Sequence, residues 1–370
     1  MKGERDKVKE DIIIFHPLPF TLYPLPFTCK LVMEISSLGE FGLIKHLTEK
    51  IEIKNGSTLK GVGDDAAVLS YKDKEALVTT DLLLEGIHFD LTYVPLKHLG
   101  YKSAVVNFSD IYAMNGQPKQ ITVSLGISKR FSVEDLEDFY EGLLLACQIY
   151  GVDLVGGDTS SSLTGFCISI TCIGEANKDR IVYRNKAQNT DLIFVSGDLG
   201  AAYMGLQLME REKAVFAGEK DFTPDFAGKE YLLERQLKPE ARKDIVHALD
   251  ENGILPTSMI DISDGLSSEL LHICTQSGVG CQIYEERIPI DYQTALMAEQ
   301  FNMNLTTVAL NGGEDYELLF TVPLGLHEKM ETIEGVKLIG HICEASEGTR
   351  LIARDGTEIP LTAQGWNALS

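Results

Sequence analysis

Apolar residues recur along this chain with two periods, which separate predicted strands from predicted helices. In the first half, short apolar or alternating runs predict strands at 66–70, 76–80, 120–127, 152–155 and 167–174. The polar turn YKDKE joins the first two strands into a hairpin. Helical spacing predicts helices at 40–50, 96–114 and 132–150, the last with Ser132 as its N-cap and Gly151 after its end.

The second half repeats this mixture of periods. It predicts strands at 191–195, 258–261, 279–284 and 317–322. Helices are predicted from about Gly200, over 241–250 and from about Gly265, with a surface loop at 213–229. Because 370 residues exceed one ordinary core, we expect two domains. The sequence thus predicts a mixed α/β (α+β) fold with domains at 33–174 and 175–370.

Residues 1–32 differ from the rest of the chain. A charged start precedes an apolar stretch in which PLPFT occurs twice, and His16 and four prolines interrupt that stretch. These interruptions argue against a signal peptide. We expect either a disordered extension or a wrongly assigned start codon, with Met33 as the true start, and the sequence alone leaves both open.

Charge and cysteine content narrow the classes of function. The formal net charge is −22, which argues against a nucleic-acid partner and against binding to an anionic membrane surface. No apolar run in the sequence is long enough for a transmembrane helix. Seven scattered cysteines without a CxxC pair indicate reduced thiols, and hence a cytoplasmic protein.

Seven short acidic clusters are the candidate chemistry. Most place a carboxylate beside glycine or a hydroxyl residue, at the end of a predicted strand or on a predicted helix: GVGDDAAV, TTDLLLEGIHF, VNFSDIYAM, VGGDTS, VSGDLG, IDISDG and NGGEDYE. Mg²⁺ prefers oxygen ligands and is usually shared between carboxylates and substrate phosphates. The clusters therefore predict a site for several Mg²⁺ ions and a phosphorylated substrate.

Each cluster alone also allows a structural interpretation. The adjacent Asp64 and Asp65 repel each other unless a cation lies near, but they could form a polar turn. Asn107 and Asp110 share a helix face, which could be a solvated surface. Asp264 could simply cap the helix that follows it.

Two clusters suit a phosphate more directly. Gly157 and Asp158 follow a predicted strand, in what we expect to be a phosphate- and metal-binding loop. Asp261 ends a strand, and Ser263 precedes a helix N-terminus, which favours anions. The sequence contains neither a P-loop nor the kinase HRD and DFG motifs, so the usual nucleotide-binding folds are disfavoured.

Taken in order, the motifs resemble one family. GEFGLI, GDDAA, TTD…GIHF, NFSD, GGDT, the Arg184 region, DISDG and GGEDYEL are similar to motifs of the thiamine-monophosphate kinases, in the aminoimidazole-ribonucleotide-synthetase-like ATP-binding superfamily. The resemblance runs from Gly39 to Trp366. It implies Mg²⁺-dependent, direct in-line transfer of the γ-phosphoryl group of ATP to thiamine phosphate, without a phosphoenzyme.

The resemblance also implies roles for individual residues. It implies a metal shell of Asp65, Thr79, Thr80, Asp81, Asp110, Asp158, Asp261 and Asp264. It implies ATP contacts from Gly157, Asp158, Arg184 and Ser263, and thiamine phosphate contacts from His88, Glu314 and Trp366. It further implies two α/β domains and a homodimer formed through the N-terminal domain.

Two other hypotheses remain open at this stage. A different superfamily member could activate a carbonyl or selenium substrate with ATP. Selenide users carry a reactive Cys near the N-terminus with a nearby Lys, and hydrogenase-maturation members end in a Cys. Here Cys29 lies in the unmatched extension and the chain ends NALS, so both signatures are missing. A non-enzymatic protein that binds divalent cations would explain the aspartates but not the motifs suited to a nucleotide.

Overall fold

A computed structural model describes residues 58–60, 63–71, 73–216 and 226–363. The predicted extension at 1–32, the predicted helix at 40–50 and Trp366 lie outside the described residues. The described chain forms two mixed α/β units, and we call each sheet together with its helices a layer. This architecture confirms the predicted fold class. None of its helices is long and apolar enough to cross a membrane.

The first sheet has six strands in the order β1-β2-β3-β6-β4-β5. Only the β4–β5 pair is parallel. The parallel pair is possible because a helix crosses over between its two strands. The strands are β1 Thr58–Lys60, β2 Ala67–Tyr71, β3 Lys74–Leu84, β4 Gln117–Ile127, β5 Asp153–Ser161 and β6 Cys167–Ala176.

Two helices, α1 Leu96–Ala113 and α2 Val133–Tyr150, belong to the first layer. A capping box between Ser132 and Asp135 starts α2, and Gly151 ends it in a left-handed conformation (φ 71°). Both helices pack with one face of the sheet into a single apolar core. This packing buries α1 almost completely, so any polar residue on it must find a partner in the interior.

The opposite face of the first sheet is more open. Alternation along β3 buries Leu77 and Thr79 but leaves Leu82 54% exposed, and Ile173 on β6 is 37% exposed. Val78 of β3 pairs directly with Ile173. No helix among the described residues packs on this face.

The second sheet has seven strands in the order β13-β12-β9-β11-β7-β10-β8, and only β9 and β12 are parallel. Its strands are β7 Leu192–Ser196, β8 Ser258–Asp261, β9 Gly280–Tyr284, β10 Leu318–Val322, β11 Val336–Cys343, β12 Thr349–Ile352 and β13 Glu358–Pro360. The helices of this layer are α3 Ala201–Phe216, α4 Glu230–Leu237, α5 Lys243–Glu251, α6 Leu266–Ser277, α7 Tyr292–Gln300, α8 Leu305–Asn311 and α9 His327–Met330.

Most predicted elements are present, and two predictions were wrong. Strand β5 continues through Ser161, so the GGDT segment is part of an edge strand and not a loop. Helix α3 extends to Phe216, into the segment predicted as a surface loop. The first sheet ends at Ala176, and the domain boundary between residues 174 and 175 stays a prediction.

Candidate active site

Three carboxylates from distant parts of the chain meet between the two layers. Asp65 precedes β2, Asp110 lies on α1, and Asp261 ends β8 of the second sheet. Carboxylate oxygens of all three lie within 4.8 Å of one another. Asp65 and Asp261 are buried, and Asp110 is partly buried. We call these three residues the carboxylate cluster.

Hydroxyl groups hold two of these carboxylates in place. Thr79 Oγ1 on β3 donates to Asp110 Oδ2 at 2.5 Å. Ser109 Oγ on α1 donates to Asp261 Oδ2 at 2.6 Å. The second bond joins α1 directly to the end of β8, so it also fixes the two layers relative to each other. Each hydroxyl occupies only one oxygen of its partner, which leaves the other oxygen for a cation.

The electrostatics of the cluster favour a bound cation. Burial, followed by the charges of Asp81, Asp261 and Asp65, raises the pKa of Asp110 well above its usual value. Burial and then the charge of Asp65 raise the pKa of Asp261 to about 8. Like charges this close resist ionisation unless a positive charge lies between them. The all-oxygen donor set suits Mg²⁺.

Asp64 and Asp81 extend the negative charge around the cluster. Burial raises the pKa of each to about 6, with further increases from Asp65 and Glu314 respectively. One carboxylate oxygen of each residue is buried and accepts no hydrogen bond from the described residues, although Asp64 Oδ2 lies 3.6 Å from Lys60 Nζ. A buried carboxylate oxygen without a donor is costly unless an ion or water completes it.

Arg184 provides the positive charge that contacts the carboxylate cluster, through Asp65. Its Nε donates to Asp65 Oδ2 at 2.7 Å, and its Nη2 donates to Asp65 Oδ1, so the pair is bidentate. The same guanidinium lies 3.8 Å from Asp64 Oδ1. This fork geometry suits phosphate oxygens as well as carboxylates. Arg184 therefore stands where it could contact a phosphate group beside the carboxylate cluster.

A strained loop borders the same site. Gly313, Glu314 and Tyr316 all have left-handed backbones, with φ of 70°, 62° and 51°. Glu314 N donates to Ser263 O at 2.6 Å, and Tyr316 N donates to Ile262 O at 2.8 Å. Left-handed non-glycine residues cost energy and tend to occur at functional sites. These bonds attach the loop to the DISDG turn.

The DISDG turn itself presents two predicted site residues. Ser263 is exposed, and Asp264 is partly exposed just before α6. The Asp264 backbone amide donates to Glu269 Oε1 at 3.1 Å, and Glu269 is buried on the first turn of α6. Gly265 has a φ of 122°, and a Cβ there would lie 2.8 Å from Leu310 O. Only glycine therefore suits this turn.

Some predicted site residues are not brought to the cluster. Thr80 points to the opposite face of β3 from Thr79, and its Oγ1 donates to Ile170 O at 3.0 Å. Asp158 is exposed on the edge strand β5, where it pairs with Ser124. Gly157 is next to it on that strand. The assigned roles of these residues stay predictions.

His88 lies in the turn after β3, outside the carboxylate cluster. It is exposed, and its Nδ1 accepts a hydrogen bond from Leu84 N at 3.0 Å. Because Nδ1 is an acceptor, Nε2 carries the N–H group and is the ring nitrogen that can donate to a ligand. The role of His88 in substrate binding stays a prediction.

Sequence reasoning missed several polar residues of the site. Ser109 is adjacent to Asp110 in the NFSD motif, and that position could have indicated it. Glu269 lies one helical turn after Gly265, where a carboxylate commonly bonds to helix-start amides. Lys102 contacts Glu314 from within α1, and no local pattern distinguishes it from a surface lysine.

Comparison with known proteins identifies the class of fold. Residues 63–176 match the family model of the N-terminal domain of AIR synthase related proteins. Solved structures of the hydrogenase maturation protein HypE share the fold at 16–20% identity. The protein therefore has the AIR-synthase-related fold.

Closer relatives identify the family within that class. The chain is 35% identical to the thiamine-monophosphate kinase of Aquifex aeolicus, over 90% of this chain and 99% of that protein. It is 31% identical to the thiamine-monophosphate kinase of Bacillus subtilis, over 89% of this chain and 99% of the relative. A solved structure of AaThiL complexed with AMPPCP and TMP aligns with a TM-score of 0.76 at 34% identity, covering 91% of this chain and 99% of that one. The chain belongs to the thiamine-monophosphate kinase family.

Proposed function

We propose that this protein is a thiamine-monophosphate kinase, which transfers the γ-phosphoryl group of ATP to thiamine phosphate and yields thiamine diphosphate and ADP. The observation that carries this proposal is the carboxylate cluster, in a chain whose relatives of 31–35% identity are kinases of this kind. Phosphoryl transfer requires positioning and charge neutralisation more than covalent chemistry by the protein. A cage of carboxylates is suited to that task.

The carboxylates would hold several Mg²⁺ ions. Asp65, Asp110 and Asp261 form the centre of the set, and Asp81 lies close enough to influence Asp110 electrostatically. Thr79 orients Asp110. Bound Mg²⁺ would bridge phosphate oxygens and neutralise the charge that develops during in-line transfer. Asp264, Asp158 and Thr80 are the remaining proposed members of the metal shell.

ATP would lie beside the carboxylate cluster. We propose that Arg184 contacts its phosphates with the guanidinium that now pairs with Asp65. Ser263 is exposed just before the N-terminus of α6, where backbone amides favour an anion. Gly157 and Asp158, on the edge strand β5, are the other proposed ATP contacts.

Thiamine phosphate would occupy the end of the site that Glu314 borders. The carboxylate of Glu314 complements the cationic thiazolium ring. The exposed imidazole of His88 could form a hydrogen bond with the phosphate or the pyrimidine. Trp366, outside the described residues, is the third proposed contact, since an aromatic face attracts a cationic ring. Direct transfer then needs no residue that forms a covalent bond to phosphate.

We further propose a cytoplasmic homodimer without nucleic-acid or membrane partners. The open face of the first sheet, with Leu82 and Ile173 exposed, supports dimerisation there because a sheet face with apolar residues gains from burial. The described cysteines are free and mostly buried, as expected in a reducing compartment. A net charge of −22 disfavours polyanionic partners.

The decisive experiment follows both products of the reaction. Purified protein is incubated with ATP and thiamine phosphate, with Mg²⁺ or with EDTA, and ADP and thiamine diphosphate are quantified by chromatography. We expect equal amounts of both products with Mg²⁺ and neither with EDTA. ADP release independent of thiamine phosphate would point to another substrate within the same fold class, and absence of ATP turnover would favour a cation-binding protein.

A further inference from the structure

Lys102 is the one buried lysine among the described residues. It lies on α1 and is only 6% exposed. A buried ammonium is costly unless it is paired and its three N–H groups all find acceptors. The contacts of the Lys102 ammonium therefore indicate why a charged side chain is buried at this position.

Three acceptors surround the Lys102 ammonium, and they come from two separate segments of the second layer. Lys102 Nζ donates to Gln236 O at 2.9 Å and forms an ion pair with Glu314 Oε2. When the Gln236 amide takes the orientation that satisfies both its atoms, its Oε1 accepts from Lys102 Nζ at 3.2 Å and its Nε2 donates to Ala202 O at 3.1 Å. All three ammonium protons are then used, and the lysine is fixed in place.

Glu314 needs such an anchor. Its backbone is left-handed (φ 62°), and its side chain is 34% exposed at the border of the site. The hydrogen bond from Glu314 N to Ser263 O fixes its backbone. The main fixed contact of its carboxylate is Lys102, because its hydrogen bond from Tyr316 Oη is 3.4 Å long and therefore weak.

Helix α1 connects this anchor to the carboxylate cluster. Ser109 and Asp110 lie two turns after Lys102 on the same helix, or about 10 Å along its axis. Ser109 holds Asp261, and Asp110 belongs to the cluster. One rigid, buried helix thus sets the distance between the metal end of the site and the Glu314 carboxylate.

We propose that Lys102 is a positioning residue for the kinase reaction, holding the Glu314 carboxylate where thiamine phosphate binds. This inference rests on the proposed function and on the assignment of Glu314 to that substrate. Lys102 does not touch the reacting atoms. It acts through Glu314, so its loss should affect one substrate more than the other.

The test is Lys102→Met, which keeps the length of the side chain and removes its charge. We expect the KM for thiamine phosphate to rise about tenfold to a hundredfold, as for loss of a charged hydrogen bond. The KM for ATP and kcat should change less than about threefold, since the metal end of the site keeps its contacts. Lys97→Met is the matched control. Lys97 lies on the same helix as Lys102, but its side chain is exposed and pairs with Glu141 of α2.

A double-mutant cycle separates positioning from folding. Lys102→Met, Glu314→Gln and the double variant are compared by KM for each substrate and by circular dichroism. If Lys102 acts through Glu314, the double variant should bind thiamine phosphate no worse than Glu314→Gln alone. This comparison holds even if Lys102→Met alone is poorly folded, because the double variant leaves no unpaired charge.

Additive effects in the cycle, or equal losses for ATP and thiamine phosphate, would overturn the inference. An unchanged KM for thiamine phosphate in Lys102→Met would overturn it while leaving the proposed function intact. If the wild-type protein turns over no thiamine phosphate, the proposed function fails first and this inference fails with it.

Discussion

The oxygens of three carboxylates lie within 4.8 Å of one another, and the repulsion between these charges lowers the stability of the folded protein. At an effective dielectric constant of 20, two unit charges at that distance repel by about 3 to 4 kcal/mol. Thr79 and Ser109 each donate a hydrogen bond, but they cannot cancel the repulsion. We therefore expect the carboxylate cluster to lower the stability of the metal-free protein, as a consequence of its proposed role in binding Mg²⁺ and phosphate.

The variant Asp110→Asn tests whether the charge of Asp110 lowers the stability of the metal-free protein and is needed for activity. Asparagine resembles the protonated carboxyl that the raised pKa of Asp110 favours without metal. In EDTA we expect the variant to be as stable as the wild type or more so, by up to about 1 to 2 kcal/mol in urea denaturation. Its phosphoryl transfer should fall at least about a hundredfold, and Mg²⁺ should no longer raise its Tm.

Asp138→Asn, on the exposed side of α2, is the control for that experiment and should match the wild type in all three measurements. A variant that kept wild-type activity and the same Mg²⁺-dependent rise in Tm would remove Asp110 from the metal shell.

The pH dependence of stability provides a second test at this scale. The folded pKa values of Asp64 and Asp81 are raised to about 6 and that of Asp261 to about 8, from 3.8. A raised carboxyl pKa contributes stability that is complete below the unfolded pKa and is lost as the pH rises through the folded pKa. In EDTA, Tm should therefore fall between pH 4 and pH 8, by roughly 5 °C or more.

Mg²⁺ should flatten that curve, because it replaces the protons and binds only deprotonated ligands. Differential scanning fluorimetry across the pH range, with Mg²⁺ and with EDTA, measures both curves. Asp261→Asn should show a smaller fall in EDTA than the wild type. A Tm that rose over this range in EDTA would contradict the assigned pKa directions.

How far single residues can be predicted depends on whether their partners are local. Asp65, Asp110 and Asp261 were predicted because each lies in a motif with glycine or a hydroxyl residue, and the structure brings them together. Thr80 shows the limit, since strand alternation turns it away from Thr79. Lys102 was missed because its partners lie over a hundred positions away in the chain.

At the scale of elements, α1 determines the geometry of the site. It carries Ser109 and Asp110, contacts both layers, and crosses α2 very closely. A Cβ on Gly142 of α2 would lie 1.7 Å from Lys97 O, and one on Gly100 of α1 would lie 1.9 Å from Phe139 O. The two glycines therefore permit a backbone contact that no other residue allows.

The variant Gly142→Ala should consequently destabilise the protein. Alanine favours a helix by up to about 1 kcal/mol over glycine, but the clash with a backbone carbonyl forces the helices apart. We expect a net loss of about 2 to 4 kcal/mol in urea denaturation, accompanied by reduced activity as Asp110 shifts. Glu137→Ala, exposed on the same helix, should be neutral. An unchanged or higher stability of Gly142→Ala would show that the helices can separate without cost.

Elements with a strong local signal were predicted from the sequence, and weaker ones were not. The capping residue Ser132 and the C-terminal Gly151 bracket α2 at its observed ends. Strand β11 has a register shift near Gly340, which disturbs its alternation, and it was missed. The GGDT segment was predicted as a loop because of its glycines, yet pairing with β4 extends it as strand β5. Pairing of this kind is a tertiary effect that local propensity cannot supply.

At the scale of the whole molecule, the two faces of the first sheet differ. One face is covered by α1 and α2, and the other displays Leu82 and Ile173 among polar residues. Among the described residues, helices therefore cover one face of this mixed sheet and leave its other face open. A second copy of the chain would cover the open face, and a twofold axis would bring the same strands of the two copies together.

Leu82→Asp should therefore break the proposed homodimer. Leu82 is 54% exposed on β3, and a charge there would be buried without a partner at a twofold interface, which strongly disfavours association. Size-exclusion chromatography with light scattering should give a dimer near 82 kDa, twice the 40.8 kDa chain, for the wild type and a monomer for the variant. Ile359→Asp is the matched control, because Ile359 is 44% exposed on β13, at the edge of the other sheet. A monomeric wild type, or a dimer that survives Leu82→Asp but not Ile359→Asp, would place the interface elsewhere.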